Sequence, residues 1–260
     1  MTQPSEPNPV TSAPHRLIAR VIYGIYTYCT FLVLGLIALA GMLLPGVHRR
    51  RNVARTMSRV LLLFTGMPLI VKNAERIPAG QCVVVANHAS YLDGVVMTAA
   101  LPPRFGFVIK REMERVPLAG ALLRRLGSEF VERFNRSRGG VDARRVLRTA
   151  VSGNSLVFFP EGTFDSRPGL GKFHAGAFTI AARAGCPVVP AVVRGTRRAF
   201  PPKSVWPHPG RIEIEFLEPI VAKADSPDAI AVELRERSRQ AILDELREPD
   251  LTAERAAAAA

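Results

Sequence analysis

From Val21 to Leu44 the chain reads VIYGIYTYCTFLVLGLIALAGMLL, with no charged residue. About 20 such residues span a bilayer as a helix, because in lipid every backbone polar group must be bonded within its own segment. A helix buried in a water-soluble domain usually keeps a polar face. This one offers only Tyr, Thr and Cys, with its tyrosines toward the N-terminal end, where interfacial rings are favoured. A cleaved signal peptide is one rival, since Ala38-Leu39-Ala40 has the small-x-small form of a cleavage site. Against it, the apolar run continues past that point, and Arg49, Arg50, Arg51, Arg55 and Arg59 behind it resist translocation. The other rival is a hairpin or shallow insertion. Pro45-Gly46 ends the helix, and Val60–Val71 is a second apolar stretch, broken by Gly66 and Pro68, that is short for crossing but suited to the interface. Spanning and monotopic arrangements both stay open. Five arginines after the segment against Arg16 and Arg20 before it place the remainder on the cytoplasmic side of the cell membrane.

The formal charge is +13, which suits any polyanion: nucleic acid, anionic lipid headgroups or phosphorylated ligands. It is spread over the arginines after the apolar segment and over Arg104–Arg148, as solvated faces often are. Cys29, Cys82 and Cys186 have no CxxC neighbour, so neither a disulfide framework nor a zinc site is expected.

Beyond Ala74 short β-branched runs alternate with helical spacing. Strands are expected at Cys82–Ala86, Arg104–Ile109, Glu129–Glu132, Ser155–Phe159 and Val188–Val193. Arg211–Leu217 alternates strictly and reads as a strand near a sheet edge with one wet face. Helices are expected at Gly94–Leu101, Leu118–Leu126, Val141–Val151, Phe173–Ala184 and Ser226–Arg247. The fold class is therefore α/β, a mixed sheet flanked by helices behind an N-terminal hydrophobic membrane helix. The expected divisions are a disordered N-terminus 1–14, a membrane-anchoring segment 15–73, an α/β domain 74–225, a C-terminal helix 226–248 and a disordered tail 249–260.

Three stretches carry chemistry. Asn87-His88-Ala89-Ser90-Tyr91-Leu92-Asp93 follows a buried strand, and Ser90 with Asp93 has the form of a helix-capping signal. On one continuous helix His88 and Asp93 would face about 140° apart. If the helix begins only at Ser90, the loop brings His88 back over its first turn, where Asp93 can accept its N–H. A carboxylate that fixes the tautomer leaves the other ring nitrogen free to take a proton from a hydroxyl; the bland alternative is a cap beside a satisfied core histidine. Phe159-Pro160-Glu161-Gly162-Thr163 ends another apolar strand, with a glycine that permits close approach of a ligand. Gly127-Ser128-Glu129-Phe130-Val131-Glu132-Arg133 offers a guanidinium fork for phosphate.

Taken in order, N-H-x4-D, G-x-x-F-x-x-R, F-P-E-G-T and V-P-A-V-V behind an apolar N-terminus resemble the 1-acylglycerol-3-phosphate acyltransferase family, over roughly Ala74–Pro219. The resemblance implies an O-acyltransferase that moves a fatty-acyl group from acyl-CoA or acyl carrier protein to a lysolipid hydroxyl, without metal or cofactor. It implies 1-acyl-sn-glycerol-3-phosphate as acceptor and phosphatidic acid as product. His88 would be the general base and Asp93 its support. Arg133 would hold the acceptor phosphate. Glu161, Gly162 and Thr163 would shape the acceptor pocket, and Val189-Pro190 would lie near the acyl chain or support the site. Many family members carry an arginine directly after E-G-T; here Phe164 stands there, with Arg167 and Lys172 as substitutes, which opens the way to another lysophospholipid or an aminolipid acceptor. An anionic membrane surface is the expected partner.

Competing classes are less well served. A Ser-His-Asp hydrolase needs a nucleophile elbow, and no G-x-S-x-G occurs. A membrane-tethered nucleic-acid binder lacks interleaved aromatic and basic residues, with one Trp and four Tyr in the chain, so no nucleic acid is expected. A lipid-binding relative without catalysis has no use for both His88 and Asp93.

Overall fold

The computed structural model describes residues 13–132, 136–164 and 166–253. Helix α1, Ala13–Gly41, is 29 residues long, about 43 Å at 1.5 Å per residue. Its stretch Arg16–Gly41 is long and apolar enough to cross a membrane, and little of it is buried. At the turn Gly46 takes φ 83°, a left-handed conformation that glycine adopts without a Cβ clash, and α2, Val47–Phe64, runs back along α1. Gly41 lets the two helices close, since a Cβ there would lie 2.5 Å from a Val53 methyl.

Two sets of polar groups tie this hairpin down. Tyr23 and Tyr26 donate to the carbonyls of Thr65 and Phe64 at 2.6 and 2.9 Å, and Tyr28 donates to that of Val205 at 2.6 Å. These rings, expected at a lipid interface, bond the end of α2 and a distant loop. Several arginines of α2 likewise serve backbone carbonyls: Arg50 that of Leu44 at 2.8 Å, Arg51 those of Leu126 and Arg104 at 2.9 and 3.0 Å, Arg59 that of Ala99 at 2.8 Å.

The stretch Val60–Val71 is not one interfacial segment. It ends α2 and then, past Gly66 and Pro68, forms β1, Leu69–Lys72. The sheet therefore starts before residue 74, inside the segment 15–73 expected to be anchoring helix. There follow β2 (Val83–Ala86), α3 (Leu92–Ala100), β3 (Phe105–Lys110), α4 (Ala119–Arg125), β4 (Glu129–Val131), α5 (Arg136–Val151), β5 (Ser155–Phe158), α6 (Gly176–Ala184), β6 (Val188–Arg194), α7 (Thr196–Ala199), β7 (Ile212–Phe216) and α8 (Pro227–Leu246). The mixed seven-stranded sheet has the order β1-β7-β6-β2-β5-β3-β4, parallel throughout except between β6 and β7.

Its central strands β2 and β5 are buried at every position, as helices on both faces require. Strand β7 alternates and lies near the edge as expected, one strand in. Its two glutamates meet cations: Glu213 pairs with Lys72 at 2.9 Å, and Glu215 with Arg194 at 3.0 Å. One core cluster packs α6 and α8 on one face of the sheet and another packs α2 and α3 on the other.

Helix α8 starts where expected, with the Ser226 hydroxyl accepting from Ala229 N–H and Pro227 in the first turn. The tail expected to be disordered from residue 249 is tied down as far as it is described. Pro249 O and Leu251 N–H both bond Leu170, at 2.9 and 3.1 Å, Leu251 is buried, and Asp250 pairs with Arg239 at 2.5 Å. Backbone pairing and an ion pair do there what composition did not suggest.

Candidate active site

The C-terminal ends of parallel strands are where ligands bind in sheets of this kind, and β2, β5 and β3 end together. Beyond β2, the Asn87 side chain clamps the neighbouring strand, donating to Val193 O at 2.9 Å and accepting from Val193 N–H at 2.7 Å. The next four residues, 88–91, turn before α3 begins at Leu92. The delayed start matters because it frees His88 from helical phase. Its Nδ1 lies 2.8 Å from Asp93 Oδ2.

Asp93 is fully buried, and the same oxygen accepts the N–H groups of Ala89 and Ser90 at 2.7 and 2.9 Å. This is the backward half of a capping box. The forward half is replaced: the Ser90 hydroxyl accepts Leu92 N–H at 3.2 Å and donates to Phe200 O at 2.7 Å. With Nδ1 engaged by a carboxylate it carries the hydrogen, which leaves Nε2 as the basic nitrogen. The ring stacks on Phe159 at 4.4 Å between centroids and meets the edge of Phe164 at 4.6 Å, and Phe164 in turn meets Tyr91 at 4.8 Å.

Glu161 stands elsewhere than on the surface of a pocket. Its Oε1 accepts the backbone N–H of His88 and its Oε2 that of Gly171, both at 2.7 Å. Burial pushes its carboxyl above the usual range, against the pull of those two donors. Gly162 and Thr163 line the cavity that opens beside His88. Lys172 is exposed and is not part of that lining, while Arg133 lies outside the described residues. Val189 and Pro190 are buried inside β6, paired with Val84 and Val85 of β2, so they support the site from the sheet.

The cavity measures about 440 Å³. Its walls are Phe31, Leu34 and Ala38 of α1, Met57 and Leu61 of α2, and Leu122 and Leu126 around α4, with Phe107 and Phe159 from the sheet. An apolar chamber with a few polar groups in its lining fits an extended apolar ligand. Among those polar groups are His88, Thr163 and Lys110, the last residue of β3. The sequence reading passed over Lys110. Its signal is the first charge after the apolar run Phe-Gly-Phe-Val-Ile. Among the described residues no three His, Cys, Asp or Glu side chains converge as a metal site. The arrangement sets a basic ring nitrogen at the wall of an apolar chamber, where it can take a proton from a hydroxyl held beside it.

Known proteins match this sequence and fold. A family model described as Acyltransferase matches residues 68–194. The chain is 34% identical over 161 residues to 1-acyl-sn-glycerol-3-phosphate acyltransferase BAT2, chloroplastic, of Brassica napus, covering 60% of this chain and 46% of that protein. It is 30% identical over 208 residues to 1-acyl-sn-glycerol-3-phosphate acyltransferase alpha of Mus musculus, covering 77% of this chain and 73% of that one. It thus spans about half the length of the plant relatives and most of the mouse one. In fold it resembles the crystal structure of the 1-acyl-sn-glycerophosphate (LPA) acyltransferase PlsC from Thermotoga maritima, with TM-score 0.73 and 21% identity, over 89% of this chain and 98% of that one.

Proposed function

The chain belongs to the 1-acylglycerol-3-phosphate acyltransferase family, and from that premise we propose that it acylates the free hydroxyl of a membrane lysolipid, with 1-acyl-sn-glycerol-3-phosphate as acceptor and acyl-CoA or acyl carrier protein as donor. The observation that carries this reading is the His88–Asp93 contact of 2.8 Å beside an apolar chamber. His88 Nε2 takes the proton of the acceptor hydroxyl as its oxygen attacks the thioester carbonyl. The tetrahedral adduct then collapses, the carbon–sulfur bond breaks, and the imidazolium returns its proton to the departing thiolate. Asp93 holds the ring and stabilises its charged form between the two steps. Lys110, in the chamber lining, attracts the acceptor phosphate together with Arg133.

The exposed apolar side of α1, with Leu32, Leu36 and Ile37, lies in the lipid. Because its tyrosines bond the body of the domain, the helix rests against the protein and delivers the chamber to the bilayer. The domain faces the cytoplasm, where the thioester donors are, and its surplus of arginine favours an anionic leaflet.

A second reading keeps the reaction and changes the acceptor. Phe164, edge-on to His88, surrounds the imidazole with aromatic carbon where a phosphate-binding cation is usual in the resemblance above. Purified protein given radiolabelled acyl-CoA and a panel of lysolipids separates the two. Phosphatidic acid as main product is expected; labelling of an aminolipid or choline lysolipid instead selects the second reading, and no diacylated product at all defeats both.

A further inference from the structure

Gly169 and Gly171, two glycines of the loop before α6, sit against groups that leave no room for a side chain without a shift. A Cβ on Gly169, where φ is +134°, would lie 2.5 Å from Leu251, and one on Gly171 would lie 2.9 Å from Glu161 Oε2. The loop is thereby pressed between the C-terminal segment and the carboxylate that holds His88. On the C-terminal side Leu170 bonds both Pro249 and Leu251 through its backbone, and Gly169 N–H donates to Glu248 at 2.6 Å. Arg239, from α8, closes the arrangement. It grips Asp250 with two bonds of 3.0 and 2.5 Å and donates to Gly171 O at 3.1 Å. The guanidinium holds the Asp250 carboxyl well below the usual carboxylate range. A bidentate pair of this kind is directional as well as strong. On the other side Gly171 N–H reaches Glu161, and Glu161 reaches the N–H of His88.

We propose that residues Glu248–Thr252, locked by Arg239 and Asp250, position the catalytic histidine through Gly171 and Glu161. The physical reason lies in Glu161. A buried carboxylate is costly unless its lone pairs are met. It has two backbone donors in the described structure, one from His88 and one from Gly171. If the Gly171 loop drifts, the carboxylate loses one donor, and its hold on the His88 backbone loosens with it. The ring then wanders from the reacting hydroxyl, and misplacement of about 1 Å costs on the order of 10²-fold in rate. Arg239 and Asp250 touch no substrate in this scheme; they are positioning residues, and the inference rests on the acyl-transfer reading only for its effect on rate.

The test uses the full chain carrying Asp250→Asn, with Arg239→Lys as a milder companion, and each change repeated in a Glu161→Gln background. Amide hydrogen exchange over residues 87–93 is read by mass spectrometry, with β6 as the control for intact folding. The expected result is exchange at the His88 turn about tenfold faster in Asp250→Asn while β6 stays protected. Alongside, kcat falls about tenfold with the acceptor KM changed by less than about twofold, and the two changes combine to little more than Glu161→Gln alone. Unchanged exchange at residues 87–93 overturns the proposal, as does a kcat loss that multiplies fully with Glu161→Gln. Exchange is measured without turnover, so a wild-type protein inactive on every lysolipid defeats the acyl-transfer reading and leaves the positioning claim to be decided on its own.

Discussion

The two faces of the sheet are filled in opposite ways. Along β2, Val83 and Val85 point into the cluster with α6 and α8, whereas Cys82, Val84 and Ala86 point toward α2 and α3. The first face is closed: Phe173 and Phe178 stack at 6.1 Å between ring centroids and, with Ile242, are almost wholly buried. The second is covered only in part by α3, and beyond it α1, α2 and α4 enclose a chamber of about 440 Å³. Protein interiors rarely leave space of that size empty. One face therefore supplies stability from its own side chains, and the other leaves a chamber, lined in part by His88, that the proposed reading fills with the acyl chain.

That contrast can be broken or sharpened by experiment. His88→Ala should reduce acyl transfer by about 10²–10⁴-fold with little change in melting temperature, since the ring closes no core. Activity assays beside thermal unfolding in detergent check this, and near-normal turnover would end the general-base assignment. Phe178→Ala should do the reverse, losing about 3–5 kcal/mol in denaturant unfolding while the protein that remains folded keeps its specific activity. Leu36→Asp, on the exposed side of α1, should weaken vesicle flotation by about 30-fold, or about 2 kcal/mol, without lowering stability in detergent. Equal vesicle binding would mean that this side of the helix does not meet lipid. Lys110→Ala should raise the acceptor KM about tenfold, the loss of a charge-assisted bond, and leave the donor KM within about twofold. Equal shifts in both would remove Lys110 from acceptor binding.

The closed face was largely legible. Runs such as Leu-Val-Phe and Val-Val-Pro-Ala-Val-Val are apolar on both sides, and strands of that kind have few alternatives once Gly and Pro mark their ends. The His88–Asp93 pair was legible for a local reason: both belong to one seven-residue turn, so the only question was where the helix starts. Glu161 was harder. The resemblance gave it a place in the acceptor pocket, but both oxygens are taken by N–H groups 73 and 10 residues away in sequence, and nothing local marks such a tie. β1 was hidden because Val60–Val71 is apolar throughout, and periodicity alone does not separate the last turn of a helix from a strand. Arg50, Arg51 and Arg59 of α2 read from the sequence as solvated faces, whereas they bond backbone carbonyls up to 76 residues distant. The strap at 249–253 sits beside an alanine run, and composition masked an ion pair.

The tyrosine bonds of α1 have a practical corollary. Helices of this type are commonly trimmed to obtain a protein that needs no detergent. Here Phe31, Leu34, Gly35 and Ala38 belong to the chamber wall. A fragment beginning at residue 42 would therefore be born with its chamber unroofed, and the hydroxyl groups of Tyr23, Tyr26 and Tyr28 that latch the roof shut would be gone as well. Solubility and turnover are set against each other by one and the same rod of chain.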